Sequence, residues 1–214
     1  MKIILDNVSK MISKNCVLDN VNVEFVGGKI YGLTGKNGSG KTMLMRIISG
    51  LVTPSAGRVI VNGEVLGRKK SFPENIGILI EHPGFIPTYT GYKNLKILSQ
   101  IQGKIDDSDI CDIMKYLGLD PNDKKSYRKY SLGMKQKLGI AAAIMEKPEI
   151  LILDEPFNAL DEETVKKTRT LIMEYINNER IIILACHDFD ELENICDVIY
   201  EMKSGILSKR SEKV

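Results

Sequence analysis

The chain reads as an α/β domain: a mostly parallel sheet flanked by helices, a smaller antiparallel sheet near the start, and an inserted helical region. Three observations predict this. Apolar strand-like runs alternate with helix-like segments in the first and last thirds. A glycine-rich loop joins one such run to a helix. Through residues 89–147 the strand signal stops and helical spacing replaces it. A length of 214 residues suits one domain. We therefore read 1–214 as a single unit, with 1–88 and 148–208 forming the core and antiparallel part and 89–147 a helical subdomain.

Residues 2–8 and 17–25 predict strands, the second because Val17, Val21, Val23 and Phe25 alternate with Asp19, Asn22 and Glu24. Ile30–Leu33 is a short buried strand that runs into the glycine-rich loop, and Thr42–Ser49 is a helix with Gly50 to cap it. A strand over Gly57–Asn62 meets a turn at Asn62-Gly63, which predicts a hairpin. Ile76–Ile80 is a further strand. Helices are predicted over 92–102, 109–117 and 132–146; in the last, Leu138, Ala141, Ala142 and Met145 share one face. Between them lies the basic stretch Asn122–Tyr130, read as a solvated loop. Alternation then resumes: strand 150–153, helix 161–178, strand 181–185, helix 188–195, and strands 198–202 and 206–208 around the turn Lys203-Ser204-Gly205.

Composition excludes several classes. Thirty Lys and Arg against 28 Asp and Glu leave a net charge of +2, so no polybasic nucleic-acid binder is expected. The longest apolar run, Leu138–Met145, is far short of the roughly 20 residues of a spanning helix. The apolar run at the N-terminus stops at Asp6, unlike a signal peptide. Cys16, Cys111, Cys186 and Cys196 include no CxxC pair, so reduced thiols in a cytoplasmic protein are expected. Any work at a membrane would pass through a partner.

Gly35-Lys36-Asn37-Gly38-Ser39-Gly40-Lys41-Thr42 fits GxxxxGK[ST] between a strand and a helix. Its backbone N–H groups and the helix N-terminus suit phosphate oxygens. Lys41 is placed to reach the β- and γ-phosphates of ATP, and the Thr42 hydroxyl to ligate Mg²⁺. The strand Ile150–Leu153 ends in Asp154-Glu155, where open α/β sheets bind ligands. Asp154 is expected in the Mg²⁺ shell, and Glu155 as the base that takes a proton from the attacking water.

Tyr130-Ser131-Leu132-Gly133-Met134-Lys135-Gln136-Lys137 then resembles the LSGGQ signature of ABC-transporter ATPases. Ser131 and Gly133 match its serine and second glycine, while Leu132 replaces the first glycine and Met134 the glutamine. Phe157-Asn158-Ala159-Leu160-Asp161 resembles the D-loop, and Cys186-His187-Asp188 the switch histidine. The resemblance runs from about residue 2 to 207. It implies a P-loop NTPase core and a head-to-tail dimer of ATPase subunits, identical or different, sandwiching two ATP molecules. Ser131 and Gly133 would contact the γ-phosphate bound by the opposite subunit. His187 would sense the γ-phosphate. A separate multi-span membrane subunit, with this chain on the inner face of the membrane, is also implied. The alternative is a soluble ABC-type ATPase acting in complex assembly or on nucleic acid.

Two departures stand out. Where the family carries a glutamine that touches Mg²⁺ and the attacking water, this chain has Glu81, a chemically reasonable metal neighbour. Ile80–Phe85, Thr90–Leu95 and Ser131–Gln136 together resemble the branch that exports bacitracin and lantibiotics. The second departure concerns the base. Many members stack adenine on an aromatic residue, but here the aligned position is Ile12, leaving aliphatic contact from Met11, Ile12 or Val17. His82 has no motif around it and reads as a loop residue.

Overall fold

A computed structural model describes residues 1–67, 71–81 and 83–213; His82 lies outside them. Two sheets carry the chain. The first is antiparallel, in the order β2-β1-β4-β5, from β1 (Lys2–Ile12), β2 (Asn15–Val26), β4 (Ala56–Val61) and β5 (Glu64–Val65). The second has the order β10-β9-β3-β8-β7-β6. Its strands are β3 (Lys29–Thr34), β6 (Ile76–Leu79), β7 (Ile150–Asp154), β8 (Ile181–Ala185), β9 (Val198–Lys203) and β10 (Ile206–Glu212). All are parallel to their neighbours except β10, which pairs antiparallel with β9 through the predicted turn.

The central strands are apolar because both faces of the sheet are covered. Leu151, Leu153, Ile182 and Leu184 face one core, with α4 (Leu132–Ile144) and α5 (Glu162–Tyr175). Ile150, Ile152, Ile181 and Ile183 face the other, with α1 (Lys41–Ile48) and the antiparallel sheet. Each such side chain contributes about 1.5–3 kcal/mol on burial. The inserted region supplies α2 (Gly91–Gln102), α3 (Asp107–Tyr116) and α4; a short helix α6 (Phe189–Glu193) follows β8.

Several boundaries differ from the sequence reading; α4 ends at Ile144 and the last helix is only Phe189–Glu193. The first hairpin is longer, since β1 continues to Ile12 and β2 begins at Asn15. Register shifts between Leu5 and Val8 and between Val8 and Lys10 break the alternation that would have revealed it. Helix α5 stops at Tyr175, not 178: Ile176 is extended, and the Asn177 side chain accepts from the Glu179 and Arg180 N–H groups to form a turn. Strand β10 runs on to Glu212 as a polar, charged sheet edge. In the basic stretch, Lys124, Lys125, Arg128 and Lys129 are exposed, but Tyr127 and Tyr130 turn inward and join the core.

Register places the motifs together. Leu33 of β3 pairs with Ala185 of β8, and Ala185 with Asp154 of β7. The glycine-rich loop, Asp154-Glu155 and Cys186-His187 therefore leave the sheet from one row, at the C-terminal ends of adjacent strands.

Candidate active site

A cavity of about 450 Å³ opens at that row. Asn37 to Met43, Asp154, Glu155, Glu81 and Val17 contribute to its lining, together with Leu132, Gln136, Asn158 and Ala159. The loop passes so close to β9 at Gly35 and to β2 at Gly40 that a side chain is excluded at those two positions. A Cβ on Gly35, whose φ is +145°, would stand 2.3 Å from the Met202 carbonyl oxygen. Lys41 is buried, and its Nζ donates to the carbonyls of Gly35, at 2.6 Å, and Lys36, at 3.4 Å. The loop thus holds its cation by its own backbone.

The Thr42 hydroxyl donates to Asp154 Oδ2 at 2.6 Å. Burial, more than any other influence, pushes the Asp154 carboxyl above the ordinary carboxylate range; neighbouring Glu155 adds to this, and Thr42 and Lys41 oppose it. The Ser39 hydroxyl is buried without a hydrogen-bond partner among the described residues. An orphaned hydroxyl beside a hydroxyl–carboxylate pair is a donor set that fits a triphosphate and a hard, oxygen-ligated cation.

Glu155 begins the turn after β7 in a left-handed conformation, φ +49°. Glu81 and Ala159, which also line the cavity, have φ of +56° and +60°. Non-glycine residues in this region cost of order 1–3 kcal/mol each and persist where surroundings over-determine them. For Glu155 the restraints are visible: its N–H donates to the Ala185 carbonyl at 2.8 Å, and its own carbonyl accepts from Gln136 Nε2 at 2.9 Å. Its carboxylate Oε2 lies 2.9 Å from His187 Nδ1. Cys186, directly after β8, also neighbours this carboxylate, and burial pushes its thiol up to about 12.

Glu81 lines the cavity but is ion-paired with Arg46 at 2.7 Å. The signature segment opens α4: Ser131 caps the helix by accepting from the Met134 N–H, and Leu132 projects into solvent. Gly133 is needed where it stands, since a Cβ there would lie 2.7 Å from the Ala159 carbonyl oxygen. Ser131 and Gly133 are not among the cavity-lining residues, whereas Leu132 is. Asp161 caps α5 through Thr164 and pairs with Lys137 of α4 at 3.3 Å, tying the two segments together. Val17 lines the cavity; Ile12 is exposed at the hairpin end and does not.

Gln136 and Arg46 were not assigned roles from sequence. Gln136 lies four residues into α4, on the side facing the Glu155-Pro156 turn, and donates to both carbonyls there. Arg46 reaches Glu81 across 35 residues of sequence, which no local pattern reveals.

A family model described as ABC transporter matches residues 18–158. The chain is 44% identical over 208 residues to an uncharacterized ABC transporter ATP-binding protein of Bacillus subtilis, covering 97% of this chain and 95% of that protein. It is 39% identical over 210 residues to the bacitracin transport ATP-binding protein of Enterococcus faecalis, covering 94% of this chain and 66% of that protein. A solved ATP-binding subunit of an ABC transporter superposes with a TM-score of 0.88 at 23% identity, over 99% of this chain and 90% of that one. With its phosphate loop and Asp154-Glu155 at one cavity and a relative 44% identical over 97% of its length, the chain belongs to the ABC transporter family of ATP-binding proteins.

Proposed function

We propose that this chain binds and hydrolyses ATP with Mg²⁺ and thereby drives export of a peptide antibiotic or related amphiphile through a separate membrane subunit. The observation that carries the reading is a pair of contacts: Thr42 bonded to Asp154 at 2.6 Å, both lining the cavity, and Glu155 of the same lining bonded at 2.9 Å to His187 behind it. One pair is built to hold a hard cation, the other to move a proton. The likeness to a bacitracin transport protein supports the cargo class.

The chemistry divides among named residues. Backbone N–H groups of Gly38 to Thr42 and the start of α1 receive the phosphates. Lys41 leaves the Gly35 carbonyl for the β- and γ-phosphate oxygens. Thr42 and Asp154 would hold Mg²⁺, which when bound neutralises charge on those oxygens. Glu155 accepts the proton of the attacking water, held in place by the backbone bonds to Ala185 and Gln136. His187 orients that carboxylate and senses the γ-phosphate.

The exposed start of α4, with Ser131 and Leu132 facing solvent, suits contact with nucleotide on a second ATPase subunit arranged head to tail. Gly133→Ala should then lower turnover roughly tenfold or more, because the Ala159 loop must shift by an ångström or so. Its thermal stability should fall as well, since the helix gain of about 1 kcal/mol from alanine does not offset a clash with a backbone carbonyl, which costs about 1–3 kcal/mol. Phosphate release and melting measured together check this; unchanged turnover would contradict it.

Among the described residues no helix is long and apolar enough to cross a membrane. A groove of about 440 Å³ lies between β6, residues 83–85, α2 and α4, and Arg46, the partner of Glu81, sits on its rim. That ion pair links the nucleotide cavity to a surface suited to the membrane subunit. Purification of the tagged chain from detergent-solubilised cells should recover a stoichiometric multi-span membrane protein, and MgATP should be hydrolysed by the complex. Recovery of soluble assembly factors alone would overturn the transport reading.

With Val17 as the aliphatic lining and Ile12 beyond it, base recognition lacks an aromatic stack. Stacking is worth on the order of 1–3 kcal/mol in nucleic-acid sites. ATP and GTP should therefore bind within about tenfold of each other, and Ile12→Tyr should tighten ATP by more than about threefold. A strong native preference for ATP in calorimetric titration would refute this.

A further inference from the structure

We propose that Glu155, Cys186 and His187 together bind a thiophilic divalent cation, Zn²⁺ or Cd²⁺, and that such an ion arrests hydrolysis by occupying the base. The binding stands on geometry alone; the arrest rests on the role assigned to Glu155 above. A carboxylate oxygen, a thiol sulfur and an imidazole nitrogen all lie within 4.8 Å of one another. Two of them, Glu155 Oε2 and His187 Nδ1, are 2.9 Å apart. Three protein donors of mixed O, S and N type with a fourth position open to water match the preference of four-coordinate zinc.

The scaffold holds these donors in place. Cys186 and His187 are consecutive and directly follow β8, and Glu155 follows β7, the adjacent parallel strand. The bond from the Glu155 N–H to the Ala185 carbonyl, at 2.8 Å, locks the two strand ends in register. The Cys186 thiol is buried, whereas the His187 imidazole beside it is exposed and provides the approach from solvent.

Donor chemistry separates this site from the neighbouring one. Thr42 and Asp154 offer only oxygen, which suits Mg²⁺. The sulfur and nitrogen of the second set favour softer ions. On coordination the thiol proton passes to water and the sulfur binds as thiolate. Glu155, now a ligand, no longer accepts a proton from the attacking water, and His187 is turned away from phosphate.

The test uses the nucleotide-free chain carrying Cys16→Ser and Cys111→Ser, titrated with Cd²⁺ and Co²⁺. A thiolate-to-metal charge-transfer band should saturate at one equivalent, and Mg²⁺ should give none. Cys186→Ser should abolish the band. His187→Ala and Glu155→Gln should each weaken Zn²⁺ at least about tenfold by calorimetry. His187 is exposed, so its variant keeps the test open if Cys186→Ser fails to fold. No saturable band in the parent, a band that survives Cys186→Ser, or affinity indifferent to both His187→Ala and Glu155→Gln would each overturn the site. With nucleotide absent, none of these results depends on the chain being a transport ATPase. In a separate assay, saturating free Zn²⁺ should lower MgATP hydrolysis at least about tenfold; full turnover with the site occupied would overturn the arrest.

Discussion

Glu155→Gln should retain ATP binding and lose about 10²- to 10⁴-fold in turnover, the range expected when a positioned general base is removed. The substitution is close to isosteric, and what holds this residue is backbone. Its N–H is bonded to the Ala185 carbonyl and its carbonyl to the Gln136 amide, and neither bond involves the carboxylate. The left-handed φ of +49° is as available to glutamine as to glutamate, so the turn should survive. The amide can still meet His187 Nδ1. The Thr42–Asp154 pair and the Lys41 contacts are untouched, so phosphate binding should persist. With ATP bound and hydrolysis blocked, two subunits should remain associated around nucleotide. Light scattering should report twice the monomer mass with MgATP and the monomer mass without. Phosphate release at the wild-type rate would show that proton transfer does not pass through Glu155, and the role would have to move to Glu81 or to water alone.

The fold was largely legible because its signals are local. Ile150–Leu153 and Ile181–Leu184 are apolar throughout, which only a sheet covered on both faces explains. The turns at Asn62-Gly63 and Ser204-Gly205 are written in residues that accept positive φ, and both occur. Less legible were elements whose pattern is interrupted or polar. Register shifts hid the end of β1, and charged residues hid β10 because an edge strand need not be apolar.

Candidate site residues were legible individually, since each sits in a short motif. Their relations were not. Nothing in the sequence says that Ala185 lies in register with both Leu33 and Asp154, yet that row brings three motifs to one edge of the sheet. The Arg46–Glu81 pair and the Gln136 bonds likewise join segments far apart in sequence. Cys186 shows the same gap. By sequence it is a buried thiol; only the strand pairing sets it against Glu155 and His187.

Asp154→Asn should separate stability from function. The Asp154 carboxyl is half-buried, and burial is the first cause that raises its affinity for a proton. A raised value in the folded state means that its favourable contribution is complete below the ordinary carboxylate range. That contribution is lost as pH rises through the folded value. At neutral pH the ionised group therefore weakens the nucleotide-free fold. Asparagine removes the charge while its side-chain oxygen still accepts from the Thr42 hydroxyl, preserving the 2.6 Å contact in kind. The variant should melt at or above the wild-type temperature at pH 7, and the difference should vanish as pH falls toward about 4, where the unfolded carboxyl protonates. Hydrolysis should fall at least about 100-fold, because one of the two hard oxygen ligands loses its charge. Stored strain and an uncompensated carboxylate are costs a binding site carries until its ligand arrives. A variant that melts well below wild type at pH 7 would mean that Lys41 already neutralises Asp154 in the empty protein, and the cation would then have less to gain there.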